Sequence, residues 1–133
     1  MHIALQTTGV DHVTLRSADL ARAHGFYGER LGLPIVLETW DSFVALAGST
    51  ALVIRGQESR APSSDASRSR RVGVDRIALG CESQAELERV AAALVAANVP
   101  STRLRADPVL QRRYVAFTDP DGTTWEVCMA LTR

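Results

Sequence analysis

Two segments, half a chain apart, carry the same alternation of apolar and polar residues. The sequence GVDHVTL at residues 9–15 returns as GVDRIAL at residues 73–79, 64 residues later. Because side chains alternate between the two faces of a strand, His12 and Thr14 share one face and the apolar residues between them share the other. The pattern predicts a half-buried β-strand in each half of the chain and indicates an internal repeat.

An amphipathic helix is predicted after each of these strands. Ser17 or Asp19 can cap a first helix that runs to about Leu31. A second helix begins at a capping box, SQAE at residues 83–86, and ends near Asn98. Each helix carries an apolar stripe that is expected to face a sheet. The stripes are Leu20, Ala23, Phe26, Tyr27 and Leu31 in the first helix, and Leu87, Val90, Ala91, Leu94 and Val95 in the second.

Three further strands are predicted after each helix. They cover about residues 34–40, 42–47 and 50–55 in the first half, and about 101–105, 112–118 and 123–130 in the second. The tetrapeptide FVAL at residues 43–46 aligns with YVAF at 114–117, which extends the repeat. The sequence DPDG at residues 119–122 predicts a tight turn. The fold class is therefore predicted to be α+β, with a βαβββ unit present twice.

Residues 56–71, GQESRAPSSDASRSRR, separate the two units and are predicted to form a flexible linker, because they carry almost no apolar residue. The first unit then covers about residues 9–55 and the second about residues 72–130. A chain of 133 residues fits one domain of this kind. Since one unit cannot bury its sheet alone, the two units are expected to pair, either within one chain or swapped between two chains.

Composition and charge argue against several classes of protein. The 15 basic and 15 acidic side chains cancel, whereas coating a nucleic acid requires a net basic face. No apolar run approaches the roughly 18–20 residues that span a bilayer, and no signal peptide is visible, so no membrane partner and a cytoplasmic location are expected. The chain has no lysine, which excludes Schiff-base chemistry and the P-loop. Cys81 and Cys128 are expected to be free thiols.

Three segments, in this order on a doubled βαβββ unit, resemble the vicinal oxygen chelate superfamily, which includes glyoxalases, bleomycin-resistance proteins and extradiol dioxygenases. They are DHVTL at residues 11–15, the stretch from Asp19 through FY at residues 26–27 to Leu33, and DPDG leading to Glu126. The resemblance covers nearly the whole chain. It implies that the sheets curve into a cup or open barrel with the helices on the convex side, and it implies a small-molecule ligand and a homodimer.

In the metal enzymes of this superfamily, the first and last strands of each unit supply one metal ligand each. The corresponding first-strand positions here are His12 and Arg76, and the last-strand positions are Leu52 or Val53 and Glu126. His12 and Glu126 are good metal ligands. An aliphatic side chain offers no donor, and a guanidinium stays protonated and has no lone pair to give. We therefore expect no metal cofactor, with a divalent ion held by His12 and Glu126 as the alternative.

Arg76 and Glu126 are predicted to face each other and to form a charge-assisted hydrogen bond. Three roles for this arrangement stay open. The pair can cross-link two strands in place of a lost metal. Arg76 can bind an anionic or carbonyl-bearing molecule while His12 and Glu126 move protons, as in a metal-free isomerase. The pocket can also bind a ligand without any reaction.

The leading hypothesis is a metal-independent small-molecule-binding protein of the glyoxalase and bleomycin-resistance type. The alternative is an enzyme, either a metal-dependent lyase or dioxygenase with a degenerate site, or the metal-free isomerase. His24 and Arg112 are expected to be exposed surface residues. The candidate ligand-binding residues are His12, Thr14, Trp40, Arg76, Tyr114, Glu126 and Cys128. Phe43 is named, with Trp40 and Tyr114, as a candidate lining of an aromatic groove.

Overall fold

The computed structural model describes residues 2–56 and 72–129. The chain divides into two compact units, Met1–Arg60 and Ala61–Arg133. The predicted linker, apart from its first residue, lies outside the described residues, and so does the last residue of the predicted second unit. Gly56 was predicted to open the linker, but it is the last residue of a strand.

Unit 1 is built as one strand, one helical segment and three further strands. The sheet has the order β1-β4-β3-β2, in which β1 and β4 are parallel and the other pairs are antiparallel. Helix α1 packs against β4. The elements are β1 (His12–Ser17), α1 (Leu20–His24), a π-helix (Gly25–Arg30), β2 (Ile35–Glu38), β3 (Ser42–Ala47) and β4 (Thr50–Gly56).

Unit 2 repeats this topology. Its sheet has the order β5-β8-β7-β6, again with one parallel pair, β5 and β8. The predicted α+β class with two βαβββ units and mixed sheets is thereby confirmed. No helix in the described ranges is long and apolar enough to cross a membrane. The elements are β5 (Ile77–Cys81), α2 (Gln84–Ala96), β6 (Arg105–Asp107), β7 (Arg112–Thr118) and β8 (Thr124–Met129).

The first helix changes its winding after His24. Asp19 caps its start, as predicted, because its carboxylate accepts a hydrogen bond from the third residue beyond it. The N–H of Leu31 then donates to the carbonyl of Phe26, five residues earlier, at 2.9 Å, which is the bond of a π-helix. A wider turn rotates successive residues through a smaller angle, so Phe26 and Tyr27 are both buried. The helix predicted to run to about Leu31 is present, but its second part is a π-helix rather than an α-helix.

The strand predicted at residues 101–105 was also misplaced, because β6 begins where that prediction ends. Ser101 forms only an isolated bridge with Phe117. Thr102 explains why no strand forms there. Its N–H donates to the carbonyl of Ala116, but its hydroxyl, rather than its carbonyl, accepts from the N–H of Ala116. A side chain therefore takes the place of the backbone acceptor that a strand ladder requires.

The sequence alignment of FVAL with YVAF was wrong by one residue. Leu52 and Trp125 are equivalent, because they pair with the same position of the repeated first strand in each unit. Their partners on the neighbouring strand are Ala45 and Phe117. The alignment by sequence had instead matched Ala45 with Ala116.

This slip matters because one residue moves every side chain to the other face of a strand. Phe43 is buried, with its ring 6.5 Å from that of Tyr27. Its true equivalent in unit 2 is Val115, which is also buried. Tyr114 is half-buried and lies on the opposite face of β7, paired with Cys128. Phe43, a candidate for an aromatic groove lining together with Trp40 and Tyr114, therefore lies on the face of its sheet opposite to that of His12 and Thr14.

Candidate functional site

One face of the sheet in unit 2 carries most of the predicted site residues of that unit. Glu126 and Cys128 point to the same side of β8, because they are two residues apart. Ala116 pairs with Glu126, and Tyr114 pairs with Cys128, so β7 presents the same side. We call this surface the Glu126 face. Its residues are Arg76, Ala78, Gly80, Arg112, Tyr114, Ala116, Glu126 and Cys128.

The opposite face of the same sheet forms the core of unit 2. Trp125, Val115 and Phe117 are all buried there. Helix α2 begins at Ser83, whose hydroxyl accepts from the N–H of Glu86, and it packs against β7 and β8. We infer that α2 covers this apolar face. The alternation along β8 therefore directs Glu126 away from the helix.

Arg76 and Glu126 form the predicted ion pair. Arg76 lies one residue before β5, and its Nη1 donates to Oε2 of Glu126 at 2.5 Å. Its Nε donates to Oδ2 of Asp75 at 3.1 Å. The hydrogen bond to Glu126, followed by the one to Asp75, raises the pKa of the Arg76 guanidinium above its ordinary value. Arg76 therefore stays a cation at any pH at which the fold persists.

The two partners of this pair differ in their access to solvent. The side chain of Glu126 is 10% exposed, whereas that of Arg76 is 44% exposed. A guanidinium has five N–H groups, and within the described ranges only two of those of Arg76 have a hydrogen-bond partner. The carboxylate is thus held from one side by the guanidinium, while the guanidinium keeps donors for a further group.

Space is available beside the pair because β5 carries small residues there. Ala78 lies directly opposite Glu126 in the strand register, and it is exposed. Gly80 lies opposite Cys128, and a methyl group added to it would meet no atom within 4 Å. The Glu126 face is therefore open along β5.

Arg112 belongs to this face and is half-buried, which corrects the expectation that it is exposed. Its Nη1 lies 4.0 Å from Sγ of Cys128. Its Nε is buried and has no hydrogen-bond partner among the residues described. Both cysteines are free, as predicted, with Cys128 buried and Cys81 half-buried. The two-residue spacing from Tyr114 was the signal that placed Arg112 on this face.

Asp107 is a charged neighbour that the sequence did not reveal. It pairs with Arg112 across β6 and β7. The N–H groups of Leu110 and Val109 donate to its carboxylate and hold its pKa below the ordinary value, and the charge of Arg76 acts in the same direction. The sequence analysis missed Asp107 because the predicted strand ended at residue 105, two residues before the end of β6.

The predicted residues of unit 1 lie on and beside its own sheet. Nδ1 of His12 lies 2.9 Å from Oδ2 of Asp11, and the His12 ring is about half-exposed. Thr14 is exposed on the same face of β1, and Trp40 stands exposed in the turn between β2 and β3. That these residues share one pocket with those of unit 2 stays a prediction.

The register settles which residue of unit 1 corresponds to Glu126. Thr14 pairs with Val53, and the equivalent Ala78 pairs with Glu126. Val53 is therefore the equivalent position, rather than Leu52. It offers no donor atom to a metal.

The residues present do not fit the divalent metal ion of the metal-dependent enzymes. The carboxylate of Glu126 is already bonded to a guanidinium, which places a positive charge where a cation would bind. The positions equivalent to two further ligands are Arg76 and Val53, and neither has a lone pair to donate. Within residues 2–56 and 72–129, no group of three or more His, Cys, Asp or Glu side chains is placed to hold a metal ion.

Comparison with known proteins agrees with this architecture. The sequence model of the Glyoxalase/Bleomycin resistance protein/Dioxygenase superfamily matches residues 9–127. The uncharacterized protein YaeR of Escherichia coli (strain K12) is 28% identical over 125 residues, which cover 89% of this chain and 93% of that protein.

Solved structures share the fold at lower identity. The lactoylglutathione lyase of Agrobacterium tumefaciens is 23% identical, with a TM-score of 0.74 over 94% of this chain and 96% of that one. The fosfomycin resistance protein FosX of Listeria monocytogenes is 18% identical, with a TM-score of 0.73 over 95% and 96%. At this identity the likeness concerns the fold. The sequence match, which spans nearly the whole chain, shows that this protein belongs to the Glyoxalase/Bleomycin resistance protein/Dioxygenase superfamily.

Proposed function

We propose that this protein binds a small organic molecule that bears a carboxylate or a carbonyl group, and that Arg76 is the group that recognises it, without a metal ion. One observation carries the proposal. Glu126 is buried and engaged by Arg76, whereas Arg76 is half-exposed and retains N–H donors toward open space. Glu126, the residue that would bind a metal, is thus already bonded to Arg76. Arg76 itself still has N–H groups that can bind a ligand.

The two carboxylates beside Arg76 prepare it for this role. A long, flexible side chain loses conformational entropy when it binds a ligand. Glu126 and Asp75 already fix the orientation of the guanidinium. Its remaining donors have the planar fork geometry that matches a carboxylate or two neighbouring carbonyl oxygens. The Arg76 side chain has therefore already lost part of its conformational entropy in the free protein, so ligand binding needs to order it less.

The surrounding charge favours a ligand with at most one negative charge. Together with the pair itself, three carboxylates and three guanidinium groups lie here, so the site has no net positive field that would attract a polyanion. A single carboxylate or a neutral carbonyl needs only the local donors of Arg76. The charged residues are Asp75, Asp107 and Glu126 against Arg76, Arg105 and Arg112.

The residues near Arg76 suit an apolar body attached to that group. Tyr114 offers part of its ring, and Cys128 offers a small apolar thiol. Ala78 and Gly80 leave room for the ligand along β5. Arg76 thus binds the polar group while these side chains exclude water from the rest of the molecule.

NMR titration of the isotope-labelled full-length protein tests the proposal. Acetate, benzoate and phenylpyruvate serve as probes, and the Nε–H signal of Arg76 serves as the reporter. We expect a saturable shift of this signal that survives treatment with a chelator. Arg76→Lys should weaken binding by roughly tenfold, because lysine keeps the charge but loses the fork. Arg113→Lys is the matched control, since Arg113 is exposed on the other face of β7. Equal effects of the two substitutions, or no shift with any probe, would overturn the proposal.

A second candidate function is metal-free proton transfer next to the ligand carbonyl, with His12 as the base. The observation that favours it is the contact of Asp11 with Nδ1 of His12, which fixes the ring tautomer and leaves Nε2 to accept a proton. This function requires that His12 and Arg76 meet the same ligand. His12→Ala should then abolish solvent deuterium exchange at the carbon beside the carbonyl of phenylpyruvate while binding persists. Unchanged exchange in that variant would exclude His12 as the base.

A further inference from the structure

A cavity of about 350 Å³ lies in unit 1, between α1 and the hairpin formed by β2 and β3. Small-molecule sites enclose roughly 300–1,000 Å³, so this volume accommodates a compact ligand. The site proposed above uses none of the residues around it. The lining residues are Leu20, Ala21, His24, Glu38, Thr39, Ser42 and Phe43.

Phe43 gives this cavity an apolar floor with polar groups at its rim. The ring of His24 meets that of Phe43 edge-on, with centroids 5.1 Å apart. Glu38 pairs directly with Phe43 across β2 and β3, so its carboxylate stands on the same face of the sheet. A small apolar group in this cavity would therefore contact Leu20, Ala21 and the accessible part of Phe43, with the carboxylate of Glu38 at its edge.

His24 contributes a buried nitrogen without a hydrogen-bond partner, although the sequence placed this residue on the surface. Its side chain is 37% exposed, but its Nε2 is buried. Nε2 lies 2.7 Å from Oε1 of Glu38, which is an ion-pair distance, yet the two groups are not aligned for a hydrogen bond. A buried polar atom of this kind costs free energy. The Glu38 side chain is 63% exposed, so its carboxylate is accessible to a ligand N–H group from the solvent side.

The charges at the cavity select a cation. Among the residues of the lining that the structure describes, Glu38 is the only acidic one and none is an arginine. Asp41 adds a second carboxylate close by, since Thr39 Oγ1 donates to it at 3.0 Å. The hydroxyls of Thr39 and Ser42 supply further acceptors. The local field therefore attracts a positive group and repels a carboxylate.

We propose that this cavity is a second ligand site, which binds a small organic cation with a flat apolar body, such as an aryl amidinium or an aryl ammonium. The apolar body lies against Leu20, Ala21 and the accessible part of Phe43, and the N–H groups of the cation bind the carboxylate of Glu38. The site belongs to unit 1 alone and does not depend on Arg76. The two sites therefore select ligands of opposite charge.

Calorimetric titration of the full-length protein with benzamidine tests this proposal, and NMR shifts locate the binding. We expect saturable binding with shifts centred on Glu38, Thr39 and Ser42. Glu38→Gln should weaken it by at least about tenfold, because the counter-charge is lost. Glu29→Gln is the matched control, since Glu29 is exposed on the π-helix and outside the cavity.

Two further comparisons complete the test. Ala21→Trp places a large ring in the cavity from an exposed position and should abolish benzamidine binding without disturbing the core. Benzoate, which has the same ring with the opposite charge, should cause no shifts at this cavity. Arg76→Lys should leave benzamidine binding unchanged, so failure here is distinguishable from failure of the carboxylate site. Shifts outside the cavity, or equal affinities of the Glu38 and Glu29 variants, would overturn the proposal.

Discussion

Removing Arg76 should destabilise unit 2 more than removing the charge of Glu126, although the two residues form one ion pair. Arg76→Met leaves a carboxylate that is 10% exposed without its partner. Glu126→Gln leaves a guanidinium that is 44% exposed, bonded to Asp75 and able to bond to the new amide oxygen. Water can solvate the second of these charges but hardly the first. The asymmetry follows from the difference in burial alone.

The size of the effect follows from the same exposures. Breaking a fully buried pair by removing one partner costs about 3–5 kcal/mol. A hydrogen bond to a charged group contributes about 1.5–3 kcal/mol. Because Glu126 is buried and Arg76 is only half-buried, we expect Arg76→Met to lower the free energy of unfolding by about 2–3 kcal/mol at pH 7. Glu126→Gln should lower it by less than about 1 kcal/mol.

Urea unfolding followed by tryptophan fluorescence measures this difference. Trp125 is 1% exposed and next to Glu126 on β8, so its emission reports on unit 2. Trp40 is 93% exposed and contributes little change. With a slope of about 1–3 kcal/mol per molar urea, a loss of about 2–3 kcal/mol should lower the midpoint for Arg76→Met by about 0.7–3 M.

The control for this experiment is Arg113→Met, which removes an exposed arginine from the opposite face and should change the free energy of unfolding by less than about 0.5 kcal/mol. The reasoning is refuted if Arg76→Met costs no more than this control. It is also refuted if Arg76→Met and Glu126→Gln cost the same, because burial would then not decide the outcome.

Three further predictions concern groups around this sheet. The pKa of Asp107 is held low by the N–H groups of Leu110 and Val109, so its stabilising effect is complete above the unfolded value of about 3.9 and is lost as pH falls through the lower folded value. The protection of those two amides, measured as the hydrogen-exchange rate relative to the intrinsic rate at the same pH, should therefore decrease in acid, and Asp107→Asn should remove that pH dependence; protection that stays constant through both changes would contradict this. Ser83→Ala removes the cap of α2 and should cost about 1 kcal/mol in urea unfolding, and a neutral result would show that the cap is not needed. Burial raises the pKa of the Cys81 thiol, so iodoacetamide should alkylate it more slowly at pH 7.5 than it alkylates a free cysteine peptide; an equal or faster rate would be contrary to this.

The pattern of the sequence was sufficient for the elements that depend on local signals. The repeated GVDHVTL motif located β1 and β5, and the capping box located the start of α2. The pairing of Arg76 with Glu126 followed once the repeat and the two-residue alternation were combined with the resemblance to the superfamily. These features follow from the repeat, from the spacing of the capping residues and from the two-residue period of a strand, all of which can be read from one sequence.

Other features depend on choices between nearly equal local structures. Whether the N–H of Leu31 bonds four or five residues back decides between an α-turn and a π-turn, and both bury apolar residues. Whether Thr102 uses its hydroxyl or its carbonyl as the acceptor decides whether a strand forms there. Every residue of FVAL and YVAF is apolar or aromatic, so the sequence does not show which of their side chains face the helix. Tertiary packing determines which of these local structures forms, and the pattern of apolar and polar residues does not reveal that packing.

His24 shows the same limit within the candidate cavity. Its position off the apolar stripe correctly indicated that it does not belong to the central core. The hairpin of β2 and β3 nevertheless brings Phe43 and Glu38 against it. A contact of this kind joins residues that are distant in the chain, so helical periodicity could not reveal it.

Metal content after loading tests the central claim most directly, namely that Arg76 holds Glu126 in place of a metal and so recognises the ligand itself. The protein is incubated anaerobically with iron, manganese, nickel and zinc, dialysed and measured by inductively coupled plasma mass spectrometry. We predict well below about 0.1 ion per chain, with no difference between the wild type and the His12→Ala and Glu126→Ala variants. About one ion per chain in the wild type, lost in both variants, would contradict the account and would make Glu126 a metal ligand.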